Sequence, residues 1–355
     1  MSRNAIALFA SLLAGGFAAS APTPRADADA AVISGVPLEF PRDHGAHDRF
    51  RTEWWYITGW LHTAGGPLGF QITFFRSRTS TQLIGPNPSA FAPTQLIIGH
   101  GALSDPAHGR LRQEQRIARA ALGLAGAASG DTRVWLDRWL LQREGDRYQA
   151  RIVGAEFSFD LQLRIRQPPV LNGESGFSRK SPLPASASYY YSLPHLAVTG
   201  SVSRSARSEA VTGEAWLDHE WSSEYLDPQA TGWDWFGLNL DDGSSLMMFR
   251  IRAKDGSVRW AGGTRREADG RVRTFAPDQL RFEAQRTWRS PRTGIDYPLR
   301  WRIRAGAEEW VVRPLMDDQE NDTRLTTGAI YWEGAVSLER AGRPVGRGYL
   351  ELTGY

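Results

Sequence analysis

The sequence contains no cysteine, which excludes disulfide bonds, thiolate metal ligands, cysteine nucleophiles and lipid attachment at an N-terminal cysteine. Lysine is nearly absent as well, because only Lys180 and Lys254 occur in the chain, and this disfavours lysine Schiff-base chemistry. No G-x-S-x-G elbow, H-E-x-x-H pair or glycine-rich nucleotide loop is found. We therefore expect no bound cofactor and no mechanism that depends on a thiol.

Charge of one sign is not concentrated anywhere in the chain. The formal net charge is only +3, and the arginines are interleaved with aspartate and glutamate. A nucleic-acid groove requires a basic patch or stripe. The sequence therefore predicts no nucleic-acid partner.

Long apolar runs are also missing beyond the N-terminus. Residues 1–21 contain one arginine, an apolar run over residues 5–19 and then small residues, which is the pattern of a cleavable signal peptide. The run is too short to cross a bilayer as a helix. We expect residues 1–32 to be this signal with a flexible lead-in, and the mature protein to be periplasmic or secreted and not a lipoprotein.

Glycine, proline and tryptophan are abundant, with 36, 20 and 14 residues respectively. Apolar residues alternate with polar ones between turn signals, which predicts many short β-strands. Strands are expected at 70–78, 134–142, 156–166, 245–252, 299–305 and 345–355, and the best helix candidate is 113–126. The pattern predicts an all-β protein built from antiparallel barrels or sandwiches.

The sequence contains an internal echo. "WWYITGWLHTAGGPLGFQITFFR" (54–76) and "WDWFGLNLDDGSSLMMFR" (233–250) both run from an aromatic cluster through a strand and a glycine turn to a strand ending in Phe-Arg. Each predicts a β-hairpin, and their spacing suggests two similar halves. The stretch 167–188, rich in proline, glycine and serine, is expected to join them. We therefore predict domains at 33–185 and 186–355.

Two clusters of polar and aromatic residues are candidates for chemistry. The first is "DHGAHDRFRTEWWY" (43–56), in which His44 and His47 lie three residues apart. Because no second histidine pair or cysteine accompanies them, we predict no metal site here and a barrel entrance instead. The aromatic residues that end the stretch are expected to line a ligand pocket: Trp54, Trp55 and Tyr56.

The second cluster is "GEAWLDHEWSSEYLDPQATGWDWFG" (213–237). In a strand, His219 and Trp221 face one way and Asp218 the other, so a histidine and a tryptophan point together into one enclosed space. A carboxyl group among tryptophan rings has a raised pKa and can donate a proton near neutral pH. The alternative is a structural aromatic core whose buried charges pair with arginine.

Six segments together resemble the hydroxyneurosporene synthase family, also called the carotenoid 1,2-hydratase-like or AttH-type family. They are "FPRDHGAHDRFRTEWWYITGWL", "YYYSLPHLAVTG", "GEAWLDHEW", "GWDWFGLNLDDGSSLMMFRIR", "YWEGAV" and "GRGYLELTGY". The likeness runs from about Pro37 to Tyr355. It implies two lipocalin-like antiparallel β-barrel domains packed together, with an apolar pocket for an isoprenoid or similar lipid.

The resemblance also implies a site. The hydratases of this family use a His-x-Trp pair together with an acidic residue near an aromatic one. His219 and Trp221 resemble that pair. Asp234 and Asp218 both remain open as that acid. The remaining aromatic residues would stabilise a carbocation or line the pocket: Trp233 and Trp235.

Two functions follow as expectations. The first is an exported protein that binds an apolar isoprenoid or lipid, with an ABC transporter as its partner, because family members include exported proteins encoded near such transporters. The alternative is a hydratase that adds water to a carbon–carbon double bond of a carotenoid or prenylated compound. In that alternative Asp234 or Asp218 protonates the alkene and His219 handles the water.

Overall fold

The computed structural model describes residues 29–79, 94–204 and 207–355 of the chain. The predicted signal peptide lies outside these residues. Strands dominate the described part, and two short 3-10 helices, Arg42–His44 and Pro277–Gln279, accompany them. Among these residues, no helix has the length and hydrophobicity that a membrane span requires.

Thirteen strands form the first sheet, in the order β4-β3-β2-β1-β13-β12-β9-β8-β7-β6-β5, with β10 and β11 paired to β12. Their bounds are β1 Thr52–Thr63, β2 Gly66–Arg78, β3 Gln95–Ser104, β4 Leu111–Arg119, β5 Ala125–Ala127, β6 Arg133–Leu136, β7 Trp139–Glu144, β8 Arg147–Val153, β9 Phe157–Arg164, β10 Val170–Leu171, β11 Phe177–Arg179, β12 Ala187–Arg204 and β13 Arg207–Ser222. Strands β3 and β4 approach β5 and β6, so the sheet curls into a barrel.

Ten strands form the second sheet, in the order β17-β16-β15-β14-β23-β22-β20-β19-β18, with β21 paired to β22. Their bounds are β14 Ala230–Leu240, β15 Ser245–Ala253, β16 Val258–Arg266, β17 Val272–Phe275, β18 Leu280–Arg289, β19 Asp296–Ala305, β20 Glu308–Pro314, β21 Glu320–Asp322, β22 Ile330–Arg340 and β23 Arg343–Thr353. Strand β16 approaches β18, so this sheet curls in the same way.

Each barrel encloses its own apolar core. Ile57, Phe70 and Leu217 are fully buried in the first, and Phe236 and Trp301 are fully buried in the second. The predicted all-β fold with two lipocalin-like barrels packed together is confirmed. Strand alternation produces it, because every second side chain of a strand faces the same barrel interior.

Most of the predicted strands are found, and both predicted hairpins exist as the pairs β1–β2 and β14–β15. The predicted strand 134–142 is instead two strands, β6 and β7, because the chain turns at Asp137, which has a φ of 55°. The Asp137 and Arg138 pair is therefore a tight hairpin turn inside an otherwise apolar run.

The predicted helix at 113–126 is wrong. The segment forms β4 and β5, with β4 paired along its length to β3. The side-chain amides of Gln113 and Gln115 both donate to the carbonyl of Asp322 in β21, at 2.9 and 2.8 Å. Pairing with a neighbouring strand and with the second sheet therefore overrides the local helical pattern.

The boundary between the halves also needs correction. Strand β13 pairs with β1 from Thr52 opposite Ser222 to His62 opposite Thr212, so residues 187–222 belong to the first barrel. The chain changes sheet between Ser222 and Ala230 rather than at 185/186. The proline- and glycine-rich stretch holds β10 and β11, which fold onto β12, so its composition marks bends within a barrel.

The barrels meet across an aromatic layer, which we call the inter-barrel layer. It consists of the outward side chains of β1, β12 and β13 and the facing side chains of β14, β15, β22 and β23: Tyr56, Trp60, Tyr190, Trp216, Trp235, Met247, Phe249, Ile251, Ala335 and Tyr349. The Trp60 indole donates to the carbonyl of Gly348 across it at 3.0 Å. The two barrels thus share a buried apolar face.

A segment ahead of β1, residues 29–50, crosses the end of the first barrel at which β1 begins and β13 ends, and we call it the N-terminal strap. The hydroxyl of Tyr189 bonds both the amide and the carbonyl of Ile33, at 3.0 Å each. Asp29 pairs with Arg51 and Arg78 at 2.8 and 3.1 Å. The strap therefore closes this end of the barrel.

We expect Gly69→Val to destabilise the protein by about 1–3 kcal/mol, because a β-carbon there would lie 2.5 Å from the Ala335 β-carbon and overpack the inter-barrel layer. Urea unfolding of the full chain measures the change. Gly65→Val in the same hairpin is the control, since a β-carbon at Gly65 has no contact closer than 3.6 Å. Equal stability of the two variants would contradict close packing of the barrels at Gly69.

Candidate functional site

The beginning of β1 and the end of β13 carry the polar residues of the first barrel. The register pairs Trp55 with His219 and Glu53 with Trp221. Alternate residues face the same side, so these four side chains point together into the barrel. Glu53 and His219 have no exposed surface, although both are polar. His219 and Trp221 therefore lie together, as their spacing predicts.

Glu53 stands at the centre of this group. Its Oε1 receives hydrogen bonds from Nδ1 of His47 at 2.6 Å and from Nε2 of His219 at 2.9 Å. Its Oε2 accepts from Nε of the buried Arg76 at 2.8 Å. Arg76 also donates to the carbonyls of His47 and Phe50 in the strap. One carboxylate thus connects the strap with β1, β2 and β13.

Tyr191 of β12 extends the hydrogen-bonded chain on the other side of His219. Its hydroxyl lies 3.1 Å from Nδ1 of His219 and 2.6 Å from Nδ1 of His44. At the opposite end, Nε2 of His47 lies 3.3 Å from Oδ1 of Asp43. We call the connected groups the histidine cluster: Asp43, His44, His47, Glu53, Arg76, Tyr191 and His219.

The hydrogen bonds define the protonation pattern of the histidine cluster. An ionised Glu53 only accepts, so the proton of His219 is on Nε2 and its Nδ1 accepts from the hydroxyl of Tyr191. The oxygen of Tyr191 in turn accepts from Nδ1 of His44. A continuous path of proton-carrying groups therefore runs from Asp43 in the strap to His44.

The pKa shifts of the cluster residues agree with this protonation pattern. Burial would raise the pKa of Glu53, but the charge of His47 and the hydrogen bond from His219 hold it well below its usual range. Burial opposes the charged form of His47, yet the Glu53 and Asp43 carboxylates raise its pKa. Burial lowers the pKa of His219, and it lowers that of His44 to about 3. His47 is therefore the histidine that carries the positive charge.

Aromatic rings surround the histidine cluster. The His47 ring stacks on Trp221 with a centroid distance of 3.7 Å and an angle of 6°, and Trp55 stacks on His219 at 4.7 Å. Tyr189 lies 5.6 Å from Trp221. A charge that develops beside these rings meets their negative faces, which attract cations.

Three ligand-type atoms, from His47, Glu53 and His219, lie within 4.8 Å of one another and so resemble a metal site. Tetrahedral zinc bonded at 2.0–2.1 Å would place its ligand atoms about 3.3 Å apart. The nitrogen atoms of His47 and His219 lie 2.6 and 2.9 Å from Oε1 of Glu53. These are hydrogen-bond distances, so direct proton sharing explains the geometry without a metal.

Asp218 faces away from His219, into the inter-barrel layer. It accepts hydrogen bonds from Tyr190, Ser192 and Trp216, each at 2.6 Å. Burial nevertheless raises its pKa to about 7. The predicted rise in pKa among aromatic rings therefore occurs, but on the opposite side of β13 from the histidine.

Asp234 is separated from His219 as well. It points into the second barrel, where it pairs with Arg250 and, at 3.3 Å, with Arg252, and it accepts from the hydroxyl of Tyr355 at 2.7 Å. Strand alternation is the reason, because the two flanking tryptophans face the other side of β14. Neither Asp234 nor Asp218, the two acids that the sequence left open, therefore shares an enclosed space with His219, and Asp234 has the arginine-paired structural environment.

The five aromatic residues predicted to bind ligand divide between two places. Trp55 points into the first barrel and stacks on His219. Trp54, Tyr56, Trp233 and Trp235 lie in or against the inter-barrel layer. The repeated aromatic pattern of the two hairpins therefore corresponds to two aromatic faces that pack against each other. One tryptophan of the pattern, Trp55, lies at the histidine cluster instead.

Several polar residues at these sites were missed by the sequence reasoning. Two of the missed residues, Glu53 and Arg76, belong to the histidine cluster. The other two are Glu333 and Glu351, which are direct cross-strand partners in β22 and β23. Burial raises the pKa of Glu333 to about 7, and burial with the charge of Glu333 raises that of Glu351. The available signal was a charged residue at a position that strand alternation assigns to a buried face.

Comparison with known proteins identifies the family. The family model described as AttH-like matches residues 31–355. The chain belongs to the AttH-like family. The chain is 56% identical to an AttH protein from Nitrosomonas europaea, whose crystal structure superposes with a TM-score of 0.86, covering 92% of this chain and 99% of that chain.

More distant members of the fold have other names. Kievitone hydratase from Nectria haematococca is 14% identical with a TM-score of 0.66, and the match covers 92% of this chain and 96% of that chain. CghA with Sch210972 is 12% identical with a TM-score of 0.50, covering 86% and 88%. At these identities the likeness shows the fold alone. A search of curated proteins finds no match.

The raised pKa of His47 predicts the pH dependence of stability. The contribution of His47 is fully present below about pH 6.5, the pKa of an unperturbed histidine, and is lost as the pH rises through its raised folded pKa. We therefore expect the stability difference between wild type and His47→Gln to be larger at pH 6 than at pH 9, as measured by urea unfolding.

His100→Gln is the matched control, because burial lowers the pKa of His100 to about 3. Its neutral form is the stable one in the fold, so the stability difference for this variant is expected to grow as the pH rises through about 6.5. A His47→Gln difference that is constant or grows between pH 6 and 9 would show that His47 is not charged in the folded protein.

Proposed function

We propose that the protein is a hydratase that adds water to a carbon–carbon double bond of an isoprenoid or prenylated compound in the first barrel. The observation that carries the proposal is the continuous chain of acid–base groups through His47, Glu53 and His219, buried against stacked tryptophan rings. Alkene hydration needs a proton donor, a group that stabilises the carbocation and a base for water. The histidine cluster and its rings supply each of the three.

The reaction balances within the histidine cluster. The charged His47 supplies a proton, which forms a C–H bond at the less substituted alkene carbon as the π bond breaks. The cation that forms at the other carbon lies against the rings of Trp221 and Tyr189. Water attacks this carbon, a C–O bond forms, and the released proton passes through the hydroxyl of Tyr191 and the ring of His219 to Glu53. Because Glu53 is bonded to His47, the proton returns to its origin and no oxidant or cofactor is consumed.

Substrate access follows from the exposure of the cluster. The side chain of His47 is 16% exposed, whereas those of Glu53, Arg76 and His219 are fully buried. We propose that a substrate approaches the cluster from the side of His47, at the end of the barrel that the N-terminal strap covers.

Kinship supports the same proposal. Kievitone hydratase shares the fold with this chain and carries a hydratase activity in its name. The proposal assigns His219 and Trp221 to the His-x-Trp pair and replaces Asp218 or Asp234 with Glu53 as the acidic partner. Glu53 precedes Trp54, so it also stands beside an aromatic residue.

A lipid carrier is the second candidate, favoured by one observation. The polar groups of Glu53 and His219 are satisfied by hydrogen bonds to one another and to neighbouring side chains, as in a structural cluster. As a carrier, we propose, the barrel would bind an apolar ligand without catalysing a reaction on it. It would act in the periplasm or outside the cell and exchange the ligand with an ABC transporter.

Isotope incorporation tests the hydratase. We incubate the full chain with acyclic carotenoids and with prenylated phenolics in heavy-oxygen water and search for a labelled hydroxyl by mass spectrometry. Glu53→Gln and His219→Gln should each lower the rate about a hundredfold or more, because each removes a proton-transfer step. His100→Gln is the control, since His100 is equally buried but bonds Tyr331 and Thr326 outside the cluster.

The outcomes separate the two candidates. Activity that survives in folded Glu53→Gln would remove the histidine cluster from the mechanism. For the carrier, we expect protein isolated from its own organism to retain a lipid that mass spectrometry identifies after extraction. Absence of labelled product together with a tightly bound lipid would replace the hydratase with the carrier, and absence of both would reject the carrier as well.

A further inference from the structure

His195 lies at a bulge of β12, outside the histidine cluster. The ladder between β12 and β13 shifts between Leu193 and Leu196, so that Pro194 and His195 stand opposite a single residue of β13. His195 has a φ of 53°, in the left-handed region that few residues other than glycine adopt. A bulge re-aims a side chain. Here the ring of His195 reaches the turn that joins β14 to β15 in the second barrel.

Both ring nitrogens of His195 face hydrogen-bond acceptors. Nδ1 lies 2.8 Å from Oε1 of Glu214 in β13, and Nε2 lies 2.9 Å from the carbonyl oxygen of Ser244 in the turn. A carbonyl oxygen only accepts, and so does the carboxylate of a glutamate at neutral pH. Both bonds therefore form only when the ring carries two protons and a positive charge. A neutral ring makes one bond and turns a lone pair toward the other acceptor.

The charged groups around the ring favour its protonated form. Burial opposes that form, yet the hydrogen bond and charge of Glu214, the bond to Ser244 and the charge of Asp242 raise the pKa of His195. Asp242 belongs to the same turn as Ser244. Burial opposes the ionisation of Asp242, but its bonds with Ser244 and the charge of Arg265 in β16 lower its pKa. A protonated His195 therefore lies between a carboxylate of each barrel.

Neutral groups complete the contact between the turn and the first barrel. The backbone amide of His195 donates to Oδ1 of Asn239 in β14 at 3.2 Å. From the segment after β9, the side-chain amide of Gln167 donates to the carbonyl of Gly243 at 3.1 Å. These bonds involve no titrating group. The pH dependence of the contact therefore comes from the ring of His195.

The same turn occurs twice in the second barrel, at residues 240–244 and 253–257. Each contains Asp-Gly-Ser, and in each the amide and hydroxyl of the serine bond the aspartate. In each, the amide of the first residue donates to the serine carbonyl at 2.9 Å. Ser257 is exposed, whereas Ser244 is buried against the first barrel. Because the second turn forms without a histidine, the bond from His195 serves docking of the first turn and not its formation.

We propose that His195 is a pH-dependent clamp, which docks the β14–β15 turn on the first barrel while its ring is protonated and loosens the turn when the ring loses a proton. The contribution of the clamp is fully present below about pH 6.5, the pKa of an unperturbed histidine. It is lost as the pH rises through the raised pKa of His195 in the folded protein. The clamp does not depend on the proposed hydration.

Hydrogen exchange of the full chain tests the clamp. We compare the protection of the Leu240 amide at pH 6 and pH 9, corrected at each pH for the exchange rate of an unstructured chain. Loss of a charge-assisted bond to Ser244 should lower this protection about tenfold at pH 9. The Ala253 amide makes the same bond in the undocked turn, so it is the internal control and should keep its protection.

Two variants complete the experiment. His195→Asn removes the titrating ring and suits the left-handed backbone, so the Leu240 amide should be protected equally at both pH values. Glu214→Gln keeps an acceptor for Nδ1 but removes the charge, so the fall in protection should occur at a lower pH than in the wild type. Because the Glu214 side chain is 43% exposed, this variant is available if His195→Asn does not fold.

Three results would each overturn the proposal. The first is equal protection of the Leu240 amide at pH 6 and pH 9 in the wild type. The second is a fall in protection that persists in folded His195→Asn. The third is a fall that occurs at an unchanged pH in Glu214→Gln, since the charge of Glu214 would then have no influence on the clamp.

Discussion

The buried negative charge of Glu53 is the constraint on which the first barrel depends. An unpaired carboxylate with no exposed surface would cost several kcal/mol, and Arg76, His47 and His219 together remove that cost. These partners come from β2, the N-terminal strap and β13, so one charge fixes three segments that are distant in sequence. Apolar residues often replace a buried ion pair without loss of stability, so stability alone does not account for this one.

Strand alternation then divides the polar residues of β13 into two compartments. His219 and Trp221 face the first barrel, whereas Asp218 and Glu220 face the inter-barrel layer. Two neighbouring residues of the sequence, Asp218 and His219, therefore lie on opposite faces of one strand. The proposed reaction at His219 therefore uses a carboxylate from another strand on the same face, and Glu53 of β1 is that carboxylate.

The local pattern of the sequence was sufficient to predict part of the fold and of the candidate site. Alternation predicted the strands, both hairpins and the shared direction of His219 and Trp221, because each depends on near neighbours. The bond between Glu53 and His219 joins residues 166 positions apart, and no local pattern contains that pairing. The helix at 113–126 and the boundary at 185 failed for the same reason, since β3 and β1 recruit those segments from a distance.

The two barrels share a fold but differ in chemistry. The described second barrel begins at Ala230, and the chain has no histidine after His219, so that barrel lacks a side chain that ordinarily titrates near neutral pH. Its contribution is mechanical, because its aromatic face buries the outer sides of β1 and β13. Holding those outer faces dry and fixed keeps Glu53 and His219 in register on the inner face, so the second barrel supports the proposed site without contributing a histidine to it.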